Sequence, residues 1–281
     1  MTNSSDFTII PVLDLNLLQS GNQDQLLDEL RSALLDVGFF YVKNHGVAQW
    51  PSDEAVPGFR QTYIQLLASY KKLALQLIEL IALSLGLPKD TLYQYFEKDQ
   101  QNRAKVIKYP SVNELDPNDG NQGVGPHKDG AFLLTILYQA NDLPGLQVQN
   151  HSGEWIDASP IPETFVINIG TGLEMLTGGL AVATTHRVLN PPPGRGPRYS
   201  IPYFFSFRLD KPFKPLELPE KFKLLEPKEA VSDAFYEEKE SFMNNLSSVF
   251  LRNRITSHPD VGFKHYPKLA QEYGVDANTK F

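Results

Sequence analysis

The feature that most limits the fold is a series of short apolar segments that begins near residue 104. They lie at 104–109, 131–138, 145–149, 164–169, 181–188 and 198–209, and Gly, Pro and Asn residues separate them. Short segments bounded by turn residues predict β-strands. Such a series favours an antiparallel sandwich or barrel over alternating strand–helix units. We therefore expect a mixed α/β (α+β) fold, with a double-stranded β-helix (jelly roll) core and flanking helices.

The flanking helices come mainly from the first hundred residues. Residues 23–38 and 60–86 carry apolar side chains at helical spacing, and each segment ends in a glycine that suits a helix stop. Shorter helices are expected at 89–96 and near 228–250, and strands at 8–15 and 39–46. The pattern therefore changes near residue 100, from helices to strands.

Composition narrows the classes of function. The chain has 26 basic and 33 acidic residues and a formal net charge of −7, so it has no broad basic field to attract nucleic acid or an anionic membrane. It has no cysteine, which excludes disulfides, thiolate metal sites and cysteine nucleophiles. Because no signal peptide or membrane-length apolar segment is visible, we expect a cytoplasmic enzyme. We also expect that it is monomeric.

Three side chains in the strand region have the chemistry of a metal site. His127 and Asp129 are two residues apart, and residues at that spacing on a strand point to the same face. His186 lies downstream in another strand-like segment. Two imidazoles and one carboxylate form a facial triad that leaves coordination positions open, which suits iron(II) in oxygen chemistry. The ligand set alone also suits zinc.

A second pair of residues favours iron over zinc. Arg198 and Ser200 are also two apart in a strand-like segment, 12 residues after His186. A guanidinium binds a carboxylate through paired charge-assisted hydrogen bonds, and a hydroxyl adds another. A dicarboxylic 2-oxoacid would chelate the metal at one end and reach Arg198 and Ser200 at the other. Taken alone, Arg198 is more typical of a surface arginine beside a Pro-Gly loop, and the triad upstream favours the binding role.

With these residues in place, the chain resembles the isopenicillin N synthase-like branch of the 2-oxoglutarate- and iron(II)-dependent oxygenases. The likeness is carried by "IPVLDLN" with "LLDELRSALLDVGFFYVKNHGV" (within 10–47), "GPHKDGAFLLTILYQANDLPGLQVQN" (125–150), "GEWIDASPIPETFVINIGTGLEMLTGG" (153–179) and "THRVLNPPPGRGPRYSIPYFFS" (185–206). These segments occur in the family's order and spacing.

The resemblance implies a dioxygenase that uses Fe(II), 2-oxoglutarate and O2 to hydroxylate, desaturate or cyclise a small organic molecule, as in secondary metabolism. His127, Asp129 and His186 would be the iron ligands and catalytic residues. Arg198, Ser200 and Tyr109 would bind the distal carboxylate of 2-oxoglutarate. The resemblance also implies a helical and strand module at 1–100, followed by an oxygenase domain with a C-terminal helix at 101–281.

One departure from the family pattern follows Val47. The family normally has a long segment between an "NHGV"-like strand end and a "QWP"-like stretch, and it supplies a helix, an early strand and part of the substrate lid. Here only Ala48 separates Val47 from Gln49. Three alternatives stay open beside the dioxygenase: an Fe(II) oxidase on the same triad that does not use 2-oxoglutarate, a truncated non-catalytic form that binds metal or a partner, and a zinc hydrolase.

Overall fold

Eleven strands and eight α-helices are assigned in the part of the chain described by the computed structural model, which comprises residues 7–45, 58–96, 100–112, 121–130, 132–208, 214–223, 246–257 and 259–275. The strands are β1 (Val12–Asp14), β2 (Phe39–Lys43), β3 (Arg103–Ala104), β4 (Ile107–Tyr109), β5 (Gln122–His127), β6 (Phe132–Gln139), β7 (Leu146–Gln149), β8 (Trp155–Asp157), β9 (Thr164–Ile169), β10 (His186–Leu189) and β11 (Arg198–Ser206). The helices are α1 (Asn16–Gln19), α2 (Gln23–Ser32), α3 (Phe59–Ser84), α4 (Thr171–Leu176), α5 (Glu220–Lys223), α6 (Leu246–Ser257), α7 (Pro259–His265) and α8 (Pro267–Glu272).

The strands form two sheets. The larger sheet has seven strands in the order β1-β2-β9-β6-β11-β3, with β4 also paired to β11. The smaller sheet has four strands in the order β5-β10-β7-β8. All pairings are antiparallel except β1 with β2. This architecture confirms the mixed fold with a jelly-roll core.

The period of two along the central strands separates the hydrophobic core from a cavity. On β6 and β9, Leu134, Ile136 and Ile167 belong to a core shared with α2 and α3. The alternate residues Thr135 and Asn168 line a cavity between the two sheets. Because neighbouring side chains on a strand point to opposite faces, one strand contributes to both environments.

The first predicted helix ends with an irregular turn. After α2, residues Ala33–Val37 form a π-helical turn that is closed by Gly38, whose φ is +70° and whose amide donates to the carbonyl of Ala33. A Cβ at this position would collide with the carbonyl oxygen of Val182. Glycine is therefore required both for the backbone angle and for the close approach of the segment that leads to His186.

Most of the predicted elements are confirmed, with small shifts of their ends. The helix expected at 60–86 is α3, and the helix at 23–38 is α2 with its π turn. The segment 104–109 forms two short strands, and 89–96 contains only a 3-10 turn at Tyr93–Tyr95. The prediction of a strand at 181–188 is wrong before His186, because the amide of Val182 donates to Leu34 of the helical layer instead of to a neighbouring strand.

Several short elements were not expected from sequence, and three of them lie in the strand region. The segment "QGVGPH" of β5 contains two glycines and a proline, which are poor strand formers, and it is tolerated because β5 lies at the edge of the four-stranded sheet. Strand β8 has only three residues, and α4 has six. Most of the helix expected at 228–250 lies outside the described residues, and α6 covers only its end.

The junction after Val47 also lies outside the described residues. Strands β1 and β2, from the first expected unit, join the same sheet as β6, β9 and β11. The division of the chain at residue 100 stays a prediction. None of the described helices combines the length and the apolar character needed to cross a membrane.

Candidate metal centre and anion site

The three predicted metal ligands meet at one end of the four-stranded sheet. His127 is the last residue of β5, and His186, the first residue of β10, is its direct partner in the antiparallel pairing. Their ring centroids are 4.3 Å apart. The spacing suggested that Asp129 shares a strand with His127, but Asp129 lies in the turn just beyond β5. There its backbone carbonyl accepts a hydrogen bond from the amide of Thr171.

The reactive atoms of these side chains converge. Asp129 Oδ1 lies 3.7 Å from His127 Nε2 and 3.8 Å from His186 Nε2. One ligand atom from each residue lies within 4.8 Å of the other two. Asp129 and His186 are buried and His127 is half-buried. Two nitrogens and one oxygen at this separation can bind a single ion and leave one side open.

The atoms that do not face this point are already bonded. His127 Nδ1 lies 2.8 Å from the carbonyl of Gly125, and His186 Nδ1 lies 3.1 Å from the carbonyl of Thr184. A carbonyl only accepts hydrogen bonds, so each Nδ1 carries the proton and each Nε2 keeps its lone pair. The backbone therefore holds both imidazoles in the tautomer that binds a metal.

The carboxylate of Asp129 is held in the same way. Its Oδ2 accepts hydrogen bonds from Thr135 Oγ1 at 2.6 Å and from Asn168 Nδ2 at 2.7 Å. Its Oδ1 is left to face the two imidazoles. Thr135 is on β6 and Asn168 on β9, so neighbouring strands of the large sheet fix a predicted ligand that lies in a turn.

The environment sets the protonation states. Burial opposes ionisation of Asp129, but the electrostatic interactions with His186 and His127 and the hydrogen bonds from Thr135 and Asn168 outweigh it and lower its pKa. Burial lowers the pKa of His186 to about 4, and His127 acts in the same direction. At neutral pH the site therefore presents a carboxylate beside a neutral His186 imidazole, which are the forms that bind metal.

The predicted anion-binding residues meet on β11 and β4. Arg198 pairs with Tyr109 across the two strands, and Ser200 is two residues further along β11. Arg198 has no exposed surface, and its Nη2 donates to Gln139 Oε1 at 2.9 Å. Its Cζ lies 5.2 Å from the centroid of the Tyr109 ring. Burial raises the pKa of Tyr109, while the charge of Arg198 and hydrogen bonds with Ser200 and Arg198 oppose that rise.

The guanidinium of Arg198 is only partly satisfied. Its Nε and Nη1 have no hydrogen-bond partner, and no carboxylate of the described residues pairs with it. A buried charge without a partner costs several kcal/mol, so such groups are normally paired. This arrangement fits an anion, and a carboxylate in particular, bound from the cavity side.

One cavity of about 130 Å³ joins the two sites. Thr135, which bonds Asp129, is paired with Phe204, and Gln139, which bonds Arg198, is paired with Ser200. The Thr135–Phe204 pair and the Gln139–Ser200 pair are four residues apart along the strands, which is about 13 Å. Apolar side chains form much of the wall between them: Phe39, Ile107, Val124, Leu137, Leu146, Val188 and Pro202.

All six predicted site residues therefore line the same cavity, but sequence reasoning missed their supports. Thr135 and Asn168 are single polar residues in the apolar strands "FLLTILYQ" and "TFVINI". Gln139, the hydrogen-bond partner of Arg198, was also missed, and it too is a polar residue in the apolar strand β6. A polar residue on the cavity-facing side of an apolar strand was the available signal.

The comparisons with known proteins agree with this geometry. The model described as 2OG-Fe(II) oxygenase superfamily matches residues 95–207, which contain all six site residues. The model described as non-haem dioxygenase in morphine synthesis N-terminal matches residues 10–66.

Individual relatives carry related names. A 2-oxoglutarate-dependent dioxygenase, frbJ, of Dothideomycetidae sp. (strain 11243) is 42% identical over 229 residues, which cover 79% of this chain and 61% of that protein. A 2-oxoglutarate-dependent dioxygenase of Gibberella zeae is 36% identical over 250 residues, covering 82% of this chain and 64% of that protein. The chain thus spans less than two thirds of the length of either relative.

A solved structure supports the fold. A full-length Neurospora crassa protein, crystallised with alpha-KG and 5-formyluracil, matches with a TM-score of 0.65 and 21% identity, over 80% of this chain and 93% of that one. At this identity the match concerns the jelly-roll architecture alone.

Proposed function

Because the chain belongs to the 2-oxoglutarate and iron(II)-dependent oxygenase superfamily, we propose that it is a dioxygenase that oxidises a small organic molecule. His127, Asp129 and His186 bind iron(II). Arg198, Ser200 and Tyr109 bind the distal carboxylate of 2-oxoglutarate. The observation that carries the proposal is the buried Arg198, whose Nε and Nη1 have no hydrogen-bond partner among the described residues and which lines the same cavity as the triad.

The residues of the chain have separate tasks in this reaction. When bound, iron(II) and 2-oxoglutarate supply the oxidising power for O2 chemistry, and the protein positions the reactants. The backbone carbonyls of Gly125 and Thr184 hold the two imidazoles in their metal-binding tautomer. Arg198 fixes the orientation of the 2-oxoacid, and the apolar wall of the cavity excludes bulk water from the reacting centre.

The alternatives explain the same residues less completely. An oxidase that does not use 2-oxoglutarate would need a substrate carboxylate at Arg198, and a zinc hydrolase would give Arg198 no role. A non-catalytic form is the natural rival because the segment after Val47 is short and the chain spans only 61% of its relative frbJ. The bonded outer atoms of the triad favour a working metal site. The monomeric state and the cytoplasmic location stay predictions.

Two measurements test the proposal. Purified protein with iron(II) and 2-oxoglutarate in the absence of oxygen should develop the visible charge-transfer absorption of the chelate. On addition of oxygen and candidate substrates, succinate should form in step with oxygen consumption. His127→Ala should abolish both signals. His151→Ala is the matched control, since that imidazole lies outside the cavity against the carbonyl of Asp36. Absence of the absorption in the wild type contradicts the proposal.

A further inference from the structure

Lys105 is a cation of the cavity that the metal and 2-oxoglutarate sites leave unassigned. The described ionisable residues of the lining are Tyr109, His127, Asp129, His186 and Arg198, each used in one of those sites, together with Lys105. Lys105 is exposed at the rim of the cavity, and its neighbour Lys108, on β4, is also exposed but does not line the cavity.

The register places Lys105 at the metal end of the cavity. Its amide donates to the carbonyl of Pro202 at 3.1 Å, and its Nζ lies 6.0 Å from the centroid of the Phe204 ring. Phe204 is paired with Thr135, whose hydroxyl bonds Asp129. Arg198 lies six residues before Phe204 on the same strand, or about 20 Å of extended chain. The two cations therefore lie towards opposite ends of the cavity.

Because of this separation, Arg198 and Lys105 cannot bind the same carboxylate. On the proposed function, 2-oxoglutarate extends from the metal towards Arg198, away from Lys105. We propose that Lys105 binds an anionic group of the organic substrate, and that the apolar body of the substrate packs against Phe39 and Phe204. The substrate class is then a small molecule with a carboxylate or similar anion and an apolar or aromatic portion.

The chemistry of the surroundings supports an anion over other polar groups. No carboxylate of the described residues lies within ion-pairing distance of Lys105 Nζ. Phe204, Pro202 and Ile107 line the cavity beside it and leave few competing donors. At this rim the stem of Lys105 lies along apolar surface and its ammonium group is available to an anion that enters the cavity.

The test compares a carboxylate with its uncharged analogue. Binding of 3-phenylpropionate and of 3-phenylpropanamide is measured by calorimetry without oxygen, on protein holding iron(II) and saturating 2-oxoglutarate. Because Lys105 is exposed, a solvent-screened ion pair predicts that the wild type binds the acid about fivefold more tightly than the amide. Lys105→Met should reduce this preference to less than twofold, and Lys105→Arg should retain most of it. Lys108→Met, the matched lysine outside the cavity, should keep the wild-type preference.

A charge reversal sharpens the result. Lys105→Glu should lose the preference for the acid and gain binding of 3-phenylpropylamine. If Lys105→Met prefers the acid as strongly as the wild type does, or if the wild type shows no preference, the assignment of Lys105 is overturned. If the wild type does not develop the chelate absorption at all, the proposed function is contradicted instead. The failure of the Lys105 assignment and the failure of the proposed function are therefore distinguishable.

Discussion

The two ends of the cavity differ in how completely the protein satisfies them. At the metal end, both imidazole Nδ1 atoms and the second carboxylate oxygen of Asp129 have partners within 3.1 Å. At the other end, Arg198 Nη2 donates to Gln139, while Nε and Nη1 of the same guanidinium have no partner in the described part of the chain. The first site is built to hold its geometry without help, and the second relies on a ligand for its counter-charge.

This difference has an energetic consequence. Rigid ligands bind a metal without further ordering of the protein, because their rotamers and tautomers are already fixed. A buried and partly satisfied cation destabilises the protein until an anion arrives, and ligand binding then stabilises the folded state. The metal end should therefore respond to mutations mainly through metal affinity, and the arginine end mainly through ligand-dependent stability.

The largest effect is expected for Asp129→Ala. This change removes a proposed metal ligand and leaves the hydrogen-bond donors of Thr135 and Asn168 without their acceptor. Loss of an outer partner alone costs about 10- to 100-fold in metal affinity, so loss of the ligand should cost more than about 100-fold. Titration with iron(II) or cobalt(II) measures this. Retention of wild-type affinity would mean that Asp129 is not a ligand.

Arg198→Met should produce effects of opposite sign with and without the ligand. Without 2-oxoglutarate, removal of the uncompensated buried charge should raise the free energy of unfolding by about 1–3 kcal/mol. Binding of 2-oxoglutarate should weaken by about 2–5 kcal/mol, or about 30-fold or more. Denaturation of the ligand-free protein and titration of the chelate absorption measure the two effects.

Arg187→Met is the control for that experiment. Arg187 lies on β10, where its Nε donates to Gln147 and its guanidinium lies 4.0 Å from the Trp155 ring. Because this arginine is already bonded by the protein, its loss should lower stability in the absence of ligand and leave 2-oxoglutarate affinity unchanged. A destabilising Arg198→Met would remove the contrast between the two ends of the cavity.

The predicted site residues could be found from the sequence, whereas most of the residues that support them could not. Arg198 and Ser200 stand at i, i+2 spacing and share β11, as that spacing predicts, whereas the same spacing of His127 and Asp129 does not mean a shared strand, because β5 ends at His127. Strand β5 was missed because Gly and Pro mask it, although an edge position tolerates both. The partners of the ligands come from distant segments: Asn168 is 39 residues from Asp129, and the Thr184 carbonyl precedes His186 in a segment that is not a strand.

Thr135→Val tests the outer partners with a smaller expected effect. Valine keeps the shape of threonine and removes the hydroxyl that bonds Asp129 Oδ2 at 2.6 Å. Metal affinity should fall by about 10-fold, the lower limit for such a partner, because Asn168 still donates to the same oxygen. Thr164→Val is the matched control on β9, where the hydroxyl bonds the carbonyl of Ile161 away from the cavity. Equal metal affinities in the two variants would show that Thr135 does not position Asp129.

The smallest change in metal affinity is expected at a carboxylate that links the two ligand-bearing segments. Glu174 Oε1 lies 3.6 Å from the Nζ of Lys128, the residue between His127 and Asp129 in the sequence. The same oxygen accepts a hydrogen bond from the amide of Ala183, three residues before His186. Glu174→Gln keeps an acceptor for that amide but removes the negative charge opposite a buried lysine side chain.

The free energy of unfolding should fall by about 3 kcal/mol in Glu174→Gln. This is the lower end of the range expected when a buried ion pair is broken, because the two charged atoms are 3.6 Å apart, which is longer than a hydrogen bond. Metal affinity should fall only about threefold, because the hydrogen bonds of the ligands themselves remain. The double variant Lys128→Met with Glu174→Gln should recover much of the lost stability, because both charges of the ion pair are then removed together. Denaturant unfolding of the metal-free protein measures the recovery. If the double variant is less stable than Glu174→Gln alone, the two side chains do not act as a pair, and the link between the ligand-bearing segments rests on the Ala183 hydrogen bond.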